Sequence, residues 1–572
     1  MAEVLLSPGV LARENDQSFL QAQPIQAGAA ILGPTVKGPV GIPTLVTTYS
    51  EYQNKFGTVV ESGSAEYTYF TSISAYNYFQ QGGDSLLVTR VVSGSYTPAS
   101  SSLIANANTS ASFVLETISE GVEMNSTGSE DSNTGALATG SKDNVRWEIV
   151  SPNTSSGTFS LLIRRGNDIT TSKTVLETWA NLSLDPNASN YIEKVIGNSK
   201  QEVASDASTG EYYIKNSGTY NTLSNYVRVK SVLTPTLNFF DNSGTAKSNF
   251  TGSIPVAGSG SFGAATGEAF AGVAGTFYGD IGTNTQGLVA GNYTDSLNLL
   301  ANQDLFQYNL IVAPGLTRES HSSPLTTMVD NSQTRGDNLS IIDLVNYDTA
   351  TLSTVTSQAS GVDSSYAASY WPWLQTIDPD LGSQVWVPAS AMIPGVFAFN
   401  DRSGEAWFAP AGLNRGGLST VIRAERNLTN GNRNTLYQAN VNPIATFPNV
   451  GVVVFGQKTM QKKASALDRV NVRRLLIELK SYISQIADNL VFEQNTIATR
   501  NNFLSQVNPY LESVQQRQGL YAFKVVMDEL NNTPDVVDRN QLVGQVFVQP
   551  AKTAEFVIID FNILPTGVEF PS

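Results

Sequence analysis

Cysteine is absent from this sequence, and histidine occurs once, as His321. Without cysteine, disulfides, thiolate nucleophiles and cysteine-ligated metals are excluded. A Ser-His-Asp arrangement could form only around His321, which lies in the polar stretch TRESHSSP and is predicted to be an ordinary surface residue. We therefore expect no enzymatic activity, no metal site and no cofactor.

Charge is also scarce. Charged residues make up 15% of the chain, against roughly 25% in a typical soluble domain. Acids outnumber bases by 49 to 34, a net charge of −15, which is the wrong sign for a protein that binds nucleic acid directly. No stretch approaches the ~20 apolar residues of a membrane span. The first residues lack the basic and apolar segments of a secretory signal. These absences predict a soluble protein without membrane insertion.

What is present, in 572 residues, is enough chain for several domains. The early stretches QAGAAILG, GIPTLVTTYSEY and SLLVTRVV predict strands, and AEYTYFTSISAYNYFQQ predicts a helix. From Ser93 to about residue 284 the composition turns to Ser, Thr, Asn, Gly and Ala. Strand candidates embedded there are RWEIV, FSLLIRR, YIEKVI and YVRVKSVL. Later, TTMVDNSQTRGDN predicts a helix and LSIIDLV a strand, whereas AMIPGVFAFNDRSGEAWFAPAGLNRGG is expected to be crowded with turns.

The last third has the most regular pattern. Apolar residues at about 3.6-residue spacing predict a long helix over 464–490, and a second helix is predicted over 493–517. The stretches LYAFKVVMDEL and VGQVFVQP, with a final strand inside residues 554–570, are predicted to complete a sheet. That final strand alternates with period two, so it either returns to its own sheet or joins another chain.

These patterns predict an α+β multidomain protein. It should have mixed α/β core domains, a β-rich inserted region that protrudes, and extended N- and C-terminal arms. The predicted division is an N-terminal arm (1–23), a discontinuous middle α/β domain (24–92 and 285–420), an inserted β-rich outer region of one or two subdomains (93–284), a C-terminal domain (421–545) and a C-terminal strand arm (546–572).

Two short motifs have the form of ligand sites without the necessary context. Gly258, Gly260 and Gly263 have GxGxxG spacing, but no strand–helix unit surrounds them, so a Gly/Ala-rich loop or loosely packed excursion is expected. The stretch DPDLG (378–382) carries two acids beside a glycine but lacks the other ligands of a calcium loop. A turn is expected there.

A basic stripe on the predicted long helix is a stronger signal. Arg469, Arg473 and Lys480 lie within about 20° of a common direction at 100° per residue, and Lys462 joins them if the helix begins early. The stripe is either a solvated flank with local ion pairs, for instance to Glu478, or the contact for an acidic partner.

Several stretches together resemble the tail sheath proteins of contractile-tailed bacteriophages. SPGVLARENDQS is similar to the family's N-terminal arm, and AAILGPTVKGPVGIPTLVTTYSEYQNKFG with YNYFQQGGDSLLVTRV is similar to its first compact domain. SSYAASYWPWLQTIDP, VPASAMIPGVFAFNDRSGEAWFAPAG and VNPIATFPNVGVVVFGQKTM follow in the family's order. The resemblance covers residues 1–92 and 295–572, and the segment beginning FSLLIRRGND also resembles a family domain. Many relatives have Trp-Gly-x-Arg-Thr where this chain has FGQKT at 455–459.

The resemblance implies a structural and mechanical function. Subunits of the family form hexameric rings that stack helically around a tail tube, and the sheath contracts to drive the tube through the host envelope without consuming nucleotide. The implied partners are further copies of the chain, the tail tube protein, and the baseplate and tail terminator proteins. The implied location is the virion tail, after synthesis in the host cytoplasm.

The resemblance also implies roles for particular residues. In the family, the arms of neighbouring subunits add strands to the sheet of the C-terminal domain. The intersubunit candidates are Val4, Leu5, Leu6, Val10, Phe556, Val557, Ile558, Ile559, Phe561 and Ile563. The C-terminal inner domain of the family faces the tube through its helical region, and the tube-facing candidates are Lys462, Arg469, Arg473 and Lys480.

Other functions stay open at this point. The same sheath would serve a cellular contractile injection particle. A capsid or surface-layer lattice protein would share the low charge and the exchanged arms. A hydrolase using the acid-rich region 361–382 is opposed by the single histidine and the missing catalytic motifs.

Overall fold

The computed structural model of the protein describes residues 25–62, 65–125, 130–268, 277–278, 282–348 and 351–555. The arm candidates Val4, Leu5, Leu6 and Val10 lie outside the described residues. So do Phe556, Val557, Ile558, Ile559, Phe561 and Ile563.

The first described segment forms strands and two helices. Its elements are β1 (Ile25–Ala27), β2 (Ala29–Gly33), β3 (Thr44–Val46), α1 (Tyr49–Phe56), β4 (Val60–Ser62), β5 (Ala65–Tyr67), α2 (Phe70–Gln80) and β6 (Leu86–Arg90). The strands predicted over QAGAAILG and SLLVTRVV are confirmed as β2 and β6. The strand predicted over GIPTLVTTYSEY is confirmed only as the short β3. It ends there because Thr48 caps α1, its hydroxyl accepting the N–H of Glu51 at 3.1 Å.

The second segment is β-rich. Its elements are β7 (Pro98–Ser101), β8 (Phe113–Glu120), β9 (Val145–Asn153), β10 (Thr158–Arg165), β11 (Val175–Ser183), α3 (Ile192–Val195), β12 (Lys200–Ser205), β13 (Tyr212–Ser217), β14 (Val227–Val232), α4 (Ser248–Thr251) and β15 (Gly258–Gly263). Seven of these strands form an antiparallel sheet in the order β11-β10-β9-β15-β7-β8-β14. Its hydrophobic core, which includes Trp147, Phe159 and Phe262, is a cluster of its own.

Most strand predictions in this segment are confirmed, and two expectations are wrong. YIEKVI forms a helical turn rather than a strand, because Ile192 and Ile196 are both buried and their four-residue spacing suits a helix. The GxGxxG glycines form β15 rather than a loop. Gly260 is needed there because a Cβ would lie 2.6 Å from the ring of Trp147.

In the third segment, strands and helices alternate. Its elements are β16 (Asn284–Thr285), β17 (Leu288–Val289), α5 (Thr294–Leu300), β18 (Phe306–Tyr308), β19 (Leu310–Thr317), α6 (Ser322–Arg335), β20 (Leu339–Asp343), α7 (Leu352–Ser360), β21 (Ala367–Trp371), β22 (Leu374–Ile377), β23 (Gln384–Val387), α8 (Ala389–Ser403), β24 (Val421–Ala424), α9 (Asn430–Gln438), β25 (Asn442–Phe447) and β26 (Gly451–Val454). The helix and strand predicted over TTMVDNSQTRGDN and LSIIDLV are confirmed as α6 and β20.

Helix α8 replaces the turns expected in the stretch that begins AMIPGVF. It contains Pro394 in its interior, which normally disfavours a helix. Tertiary packing stabilises it nevertheless. Most of its residues are buried, and the carboxylate of Asp343 accepts the N–H of Ser390 at 3.1 Å near its N-terminus. Gly395 allows α2 to approach, since a Cβ would lie 2.4 Å from the side chain of Asn77.

An eight-stranded sheet combines the first and third segments. Its order is β26-β25-β21-β20-β19-β2-β6-β3. The inner pairs are parallel, and the two outermost pairs are antiparallel. One hydrophobic core lies on the face that α2 and α8 cover, and a second core lies on the face that α5, α6 and α7 cover. The eight-stranded sheet has strands on both sides of the boundary predicted between residues 420 and 421. Strands β25 and β26 follow this boundary and belong to the same sheet as β21, which precedes it.

The C-terminal segment follows this sheet directly. Its elements are α10 (Val470–Asp488), α11 (Ile497–Gln516), β27 (Leu520–Val526), α12 (Pro534–Asp538) and β28 (Gln545–Pro550). The two predicted helices are confirmed, with α10 beginning six residues later than expected. The predicted mixture of helices and sheets in several units is thus confirmed. Among the described residues, no helix has the length and apolar character needed to cross a membrane.

Candidate assembly surface

The strands β27 and β28 form a small antiparallel sheet near the end of the described chain. They pair from Leu520 with Pro550 to Val526 with Gln545. Within the described residues this sheet has only two strands, so both of its outer edges lack a neighbouring strand. Tyr521 and Phe547 are 64% and 55% exposed. A two-stranded sheet is marginal alone, and open edges accept further strands.

A helical hairpin supports this small sheet. Leu475, Leu479 and Ile486 of α10 are buried, as the predicted apolar face requires. They form one hydrophobic cluster with four residues of α11 and with Leu520 at the start of β27. Trp407 joins the cluster and donates its indole N–H to the carbonyl of Arg517 at 3.1 Å. The sheet is therefore fixed to the rest of the protein through one face.

The turn between α10 and α11 is exposed and apolar. Val491 and Phe492 in the turn are 61% and 100% exposed, and Ile497 at the start of α11 is 59% exposed. Phe492 has a φ of +71°, which is unfavourable for an aromatic residue. The side chain of Asn495 donates to the carbonyl of Gln541 at 2.9 Å and ties the turn to the loop before β28. This surface does not follow from the periodicity of the two helices. Its signal in the sequence is the apolar run at 490–492, between the two predicted helices.

The predicted basic stripe is not a uniform surface. Arg473 is buried, and its guanidinium lies 4.0 Å from the ring centroid of Tyr366 while it donates to the hydroxyl of Ser365. Burial lowers the pKa of Arg473. These contacts correct the expectation that Arg473 contributes to a surface stripe, because its charge is enclosed by its own chain.

Lys462 and Lys480 remain at the surface. Lys480 donates from Nζ to the hydroxyl of Tyr366 at 3.3 Å. Lys462 is held through its backbone, whose N–H donates to Asp363 at 2.9 Å. The ammonium groups of both lysines can therefore meet a partner.

Arg469 contacts the end of the described chain. Its Nε and Nη2 donate to the two carboxylate oxygens of Glu555 at 2.7 and 3.1 Å. Tyr437 donates its hydroxyl to the same carboxylate at 2.8 Å, and Gln457 donates its amide at 3.1 Å. Burial alone would raise the pKa of Glu555, but the hydrogen bonds from Arg469 and Tyr437 outweigh it and hold the pKa below its usual value. Glu555 is therefore a charged and fully bonded group.

His321 is not the surface residue that the sequence predicted. It is 1% exposed. Its Nδ1 accepts the N–H of Thr317 at 3.2 Å, so Nε2 carries the proton and faces the carbonyl of Thr283 at 3.2 Å. Burial lowers the pKa of His321, which favours this neutral form. The side chain stabilises the loop before α6.

The other candidate ligand groups have structural roles as well. Asp378 in the DPDLG stretch accepts the N–H groups of Asp380 and Leu381 at 2.9 and 3.1 Å, which confirms the expected turn. Over the part of the chain that the structure describes, no cluster of three or more acidic or histidine side chains could hold a metal ion.

Two domains of a known protein family match the chain from near the start of the third segment onward. Residues 287–460 match the phage tail sheath protein central domain, and residues 462–563 match the phage tail sheath C-terminal domain. The first match contains β17 to β26, and the second contains the helical hairpin and the small sheet.

Individual relatives agree with these matches. The chain is 41% identical over 185 residues to the tail sheath protein of Vibrio phage KVP40, which covers 32% of this chain and 28% of that protein. It is 30% identical over 323 residues to the tail sheath protein of Enterobacteria phage T4, covering 53% of this chain and 49% of that protein. The chain thus matches half or less of the length of these curated relatives.

A solved structure shows the same fold over nearly the whole chain. The sheath tail protein of Listeria innocua superposes with a TM-score of 0.51 and 11% identity, covering 92% of this chain and 95% of that chain. Residues 287–460 and 462–563 of the protein are therefore the central and C-terminal domains of the phage tail sheath type.

Proposed function

We propose that the protein is the structural and mechanical subunit of a contractile phage tail sheath. Copies form hexameric rings that stack around a tail tube, and the assembled sheath contracts to drive the tube through the host envelope. Its partners are further copies of itself, the tail tube protein, and the baseplate and tail terminator proteins. It is made in the host cytoplasm and functions in the virion tail, and the work comes from assembly rather than from catalysis.

The observation that carries this proposal is the small sheet with two open edges. Strand addition would satisfy the backbone groups along those edges and cover exposed side chains such as Phe547. The strands supplied by neighbouring chains are the N-terminal arm, with Val4, Leu5, Leu6 and Val10, and the C-terminal arm, with Phe556, Val557, Ile558, Ile559, Phe561 and Ile563. A ten-residue strand spans about 33 Å, which is enough to reach an adjacent subunit.

Contraction then requires rigid bodies joined by persistent strands. The eight-stranded sheet is enclosed between two hydrophobic cores and supplies the rigid body. Hydrogen bonds between exchanged strands survive while subunits rotate about the connecting segments. The contracted form is favoured if it buries more surface between subunits, at roughly 25 cal/mol per Å² of apolar area. Many copies sum small gains into mechanical work.

The tube-facing role falls to the exposed lysines. Lys462 and Lys480 present their charges to solvent, whereas the charges of Arg469 and Arg473 are used within the chain. Ion pairs between these lysines and an acidic tube surface would be weak and screened by salt. Contacts of this strength hold the extended sheath and still release during contraction.

Electron microscopy of the concentrated full-length chain tests the proposal. We expect hollow tubes built from six-fold rings, alone or around co-expressed tail tube protein. Planes or closed shells would indicate a lattice protein instead. A chain that remains monomeric at high concentration, with and without the tube protein, would contradict the proposed assembly. Isolation of the native particle distinguishes a phage tail from a cellular injection particle.

A further inference from the structure

Three segments of the chain meet at the carboxylate of Glu555. We propose that Tyr437, Gln457 and Arg469 form a carboxylate-binding socket that positions the root of the C-terminal arm and transmits force from the arm to the joint between the central and C-terminal domains. The positioning role depends only on the geometry of this site. The transmission of force rests on the proposed function.

The socket binds both oxygens of the carboxylate. Arg469 donates one hydrogen bond to each oxygen, a bidentate geometry that fixes the orientation as well as the position. Tyr437 adds a bond to the oxygen that Nη2 contacts, and Gln457 adds a bond to the other. Gln457 also donates to the hydroxyl of Thr553. Two residues of the segment after β28 are therefore held.

The donors themselves are held in place. Lys458 donates from Nζ to the carbonyl of Tyr437 at 2.8 Å, and its ammonium lies 4.6 Å from the ring centroid of Tyr437. Asp468 lies 3.0 Å from Nη1 of Arg469 and balances the local charge. The side chains of Arg469 and Glu555 are only 26% and 18% exposed. An isolated surface ion pair contributes little, but this pair is part of a partly buried network with several fixed donors.

The socket spans two domains. Tyr437 on α9 and Gln457 after β26 belong to the central domain, whereas Arg469 immediately precedes α10 in the C-terminal domain. The backbone connects the two domains at the same place. The N–H of Val470 donates to the carbonyl of Gln457 at 2.8 Å, and the N–H of Thr459 donates to the carbonyl of Asp468 at 3.0 Å. A pull on Glu555 is therefore resisted by both domains at their junction.

Spin labels can test the positioning, because the chain has no cysteine of its own. Labels at Ala554→Cys, beside the socket, and Thr326→Cys, on α6, would report the distance between the arm root and the central domain by pulsed electron resonance. Both native residues are exposed. An excess of unlabelled chain restricts the signal to distances within one molecule. The distance distribution should be narrow in the otherwise unchanged protein.

Glu555→Gln and Arg469→Gln should each broaden this distribution, and the double variant should broaden it no further. Lys480→Gln is the matched control, since Lys480 is an exposed base on α10 outside the socket, and it should leave the distribution narrow. A distribution that stays narrow in Glu555→Gln and in Arg469→Gln would overturn the socket. So would broadening in the control alone.

Polymerisation tests the second role. Glu555→Gln should raise the concentration needed for polymer formation several-fold while leaving the urea midpoint of the central domain unchanged. A broadened distribution with normal polymerisation would overturn the transmission of force from the arm. If the unchanged chain forms no polymers at all, the proposed function fails, and the spin-label distances still decide the socket.

Discussion

The eight-stranded central sheet and the two-stranded C-terminal sheet differ in how completely they are closed. In the central sheet, Leu86–Arg90 and Leu310–Thr317 are buried at every position, and helices cover both faces. In the C-terminal sheet, most residues of β28 are exposed and neither strand has a second neighbour within the described residues. Among the described residues, the central sheet has eight strands with a hydrophobic core on each face, whereas the C-terminal sheet has only two strands. The proposed function assigns the open edges of the C-terminal sheet to strands from other chains.

The sequences of the two sheets already differ in the same way. Central strands such as AAILG and LSIID are nearly continuous runs of small and apolar residues, as parallel strands buried on both faces require. The C-terminal strand QVFVQP carries an apolar core between polar ends and leaves Phe547 outward. Stability should therefore depend on the first sheet, and assembly on the second.

Removing residues 554–572 should have the largest effect on assembly. An absence of any effect would contradict the difference drawn between the two sheets. The deletion takes away the strand that the open sheet would exchange, so we expect monomers or small oligomers in place of tubes by electron microscopy. Deleting only residues 556–572 is the matched control for the socket. It should also abolish tubes but retain the contacts of Glu555. Long tubes from either truncation would remove the C-terminal arm from the mechanism.

A pair of substitutions should separate stability from assembly. Ile341→Ala in the central sheet deletes a side chain that is 1% exposed and should lower the free energy of unfolding by about 2–5 kcal/mol. Phe547→Ser in the small sheet should change it by less than about 0.5 kcal/mol and instead raise the concentration needed for polymerisation. Urea unfolding and light scattering measure the two effects. Equal losses in the free energy of unfolding would show that the small sheet is as important for stability as the central sheet.

The central sheet should contribute to the pH dependence of stability through Asp343, at the end of β20. Burial raises the pKa of Asp343 to about 7, although the N–H and hydroxyl of Ser390 oppose the shift. An unfolded aspartate has a pKa of about 3.9. Between about pH 4 and pH 7, the folded protein therefore holds a proton that the unfolded chain has lost, and stability falls as pH rises, by at most about 4 kcal/mol.

Asp343→Asn should reduce the slope of stability against pH, measured by urea unfolding between about pH 4 and pH 7. Asp304→Asn, at an exposed aspartate, should leave it in place. A slope that is as steep in Asp343→Asn as in the unchanged protein would show that Asp343 does not contribute to it.

Periodicity predicted the strands and helices that have a regular apolar pattern of their own. It failed where the structure depends on contacts with residues far away in the sequence. The strands β2, β6 and β20 and the helices α10 and α11 follow from their own apolar patterns. The helix α8 does not, since it depends on Asp343 and on the close approach of α2. His321 lies in a polar stretch and is predicted to be exposed. In the structure, its two ring nitrogens contact backbone groups of Thr317 and Thr283.

The candidate site shows the same limit. The spacing correctly placed Arg473 and Lys480 on one face of α10, where both contact Tyr366, whereas Arg469 lies in extended backbone just before the helix. Their partners could not be read from spacing. Glu555 is 86 residues from Arg469, and Ser365 is 108 residues from Arg473. These partners engage two of the three charges within the chain itself.

The smallest effect on stability is expected from substitution of the exposed lysines, which lie outside both sheets. Lys462→Ala with Lys480→Ala should change the free energy of unfolding by less than about 0.5 kcal/mol, because both side chains are exposed.

Binding of the double variant to the tail tube protein should be weaker than that of the unchanged protein at low salt. The difference should vanish near 1 M salt, where the Debye length falls to about 3 Å from about 10 Å at 0.1 M. Lys524→Ala, an exposed lysine on β27, is the control and should not alter tube binding. Co-sedimentation with the tube protein measures the binding of the unchanged protein, the double variant and Lys524→Ala. If the double variant binds like the unchanged protein at every salt concentration, the lysines are solvated, and tube contact has to arise from uncharged surface such as the Val491–Phe492 turn.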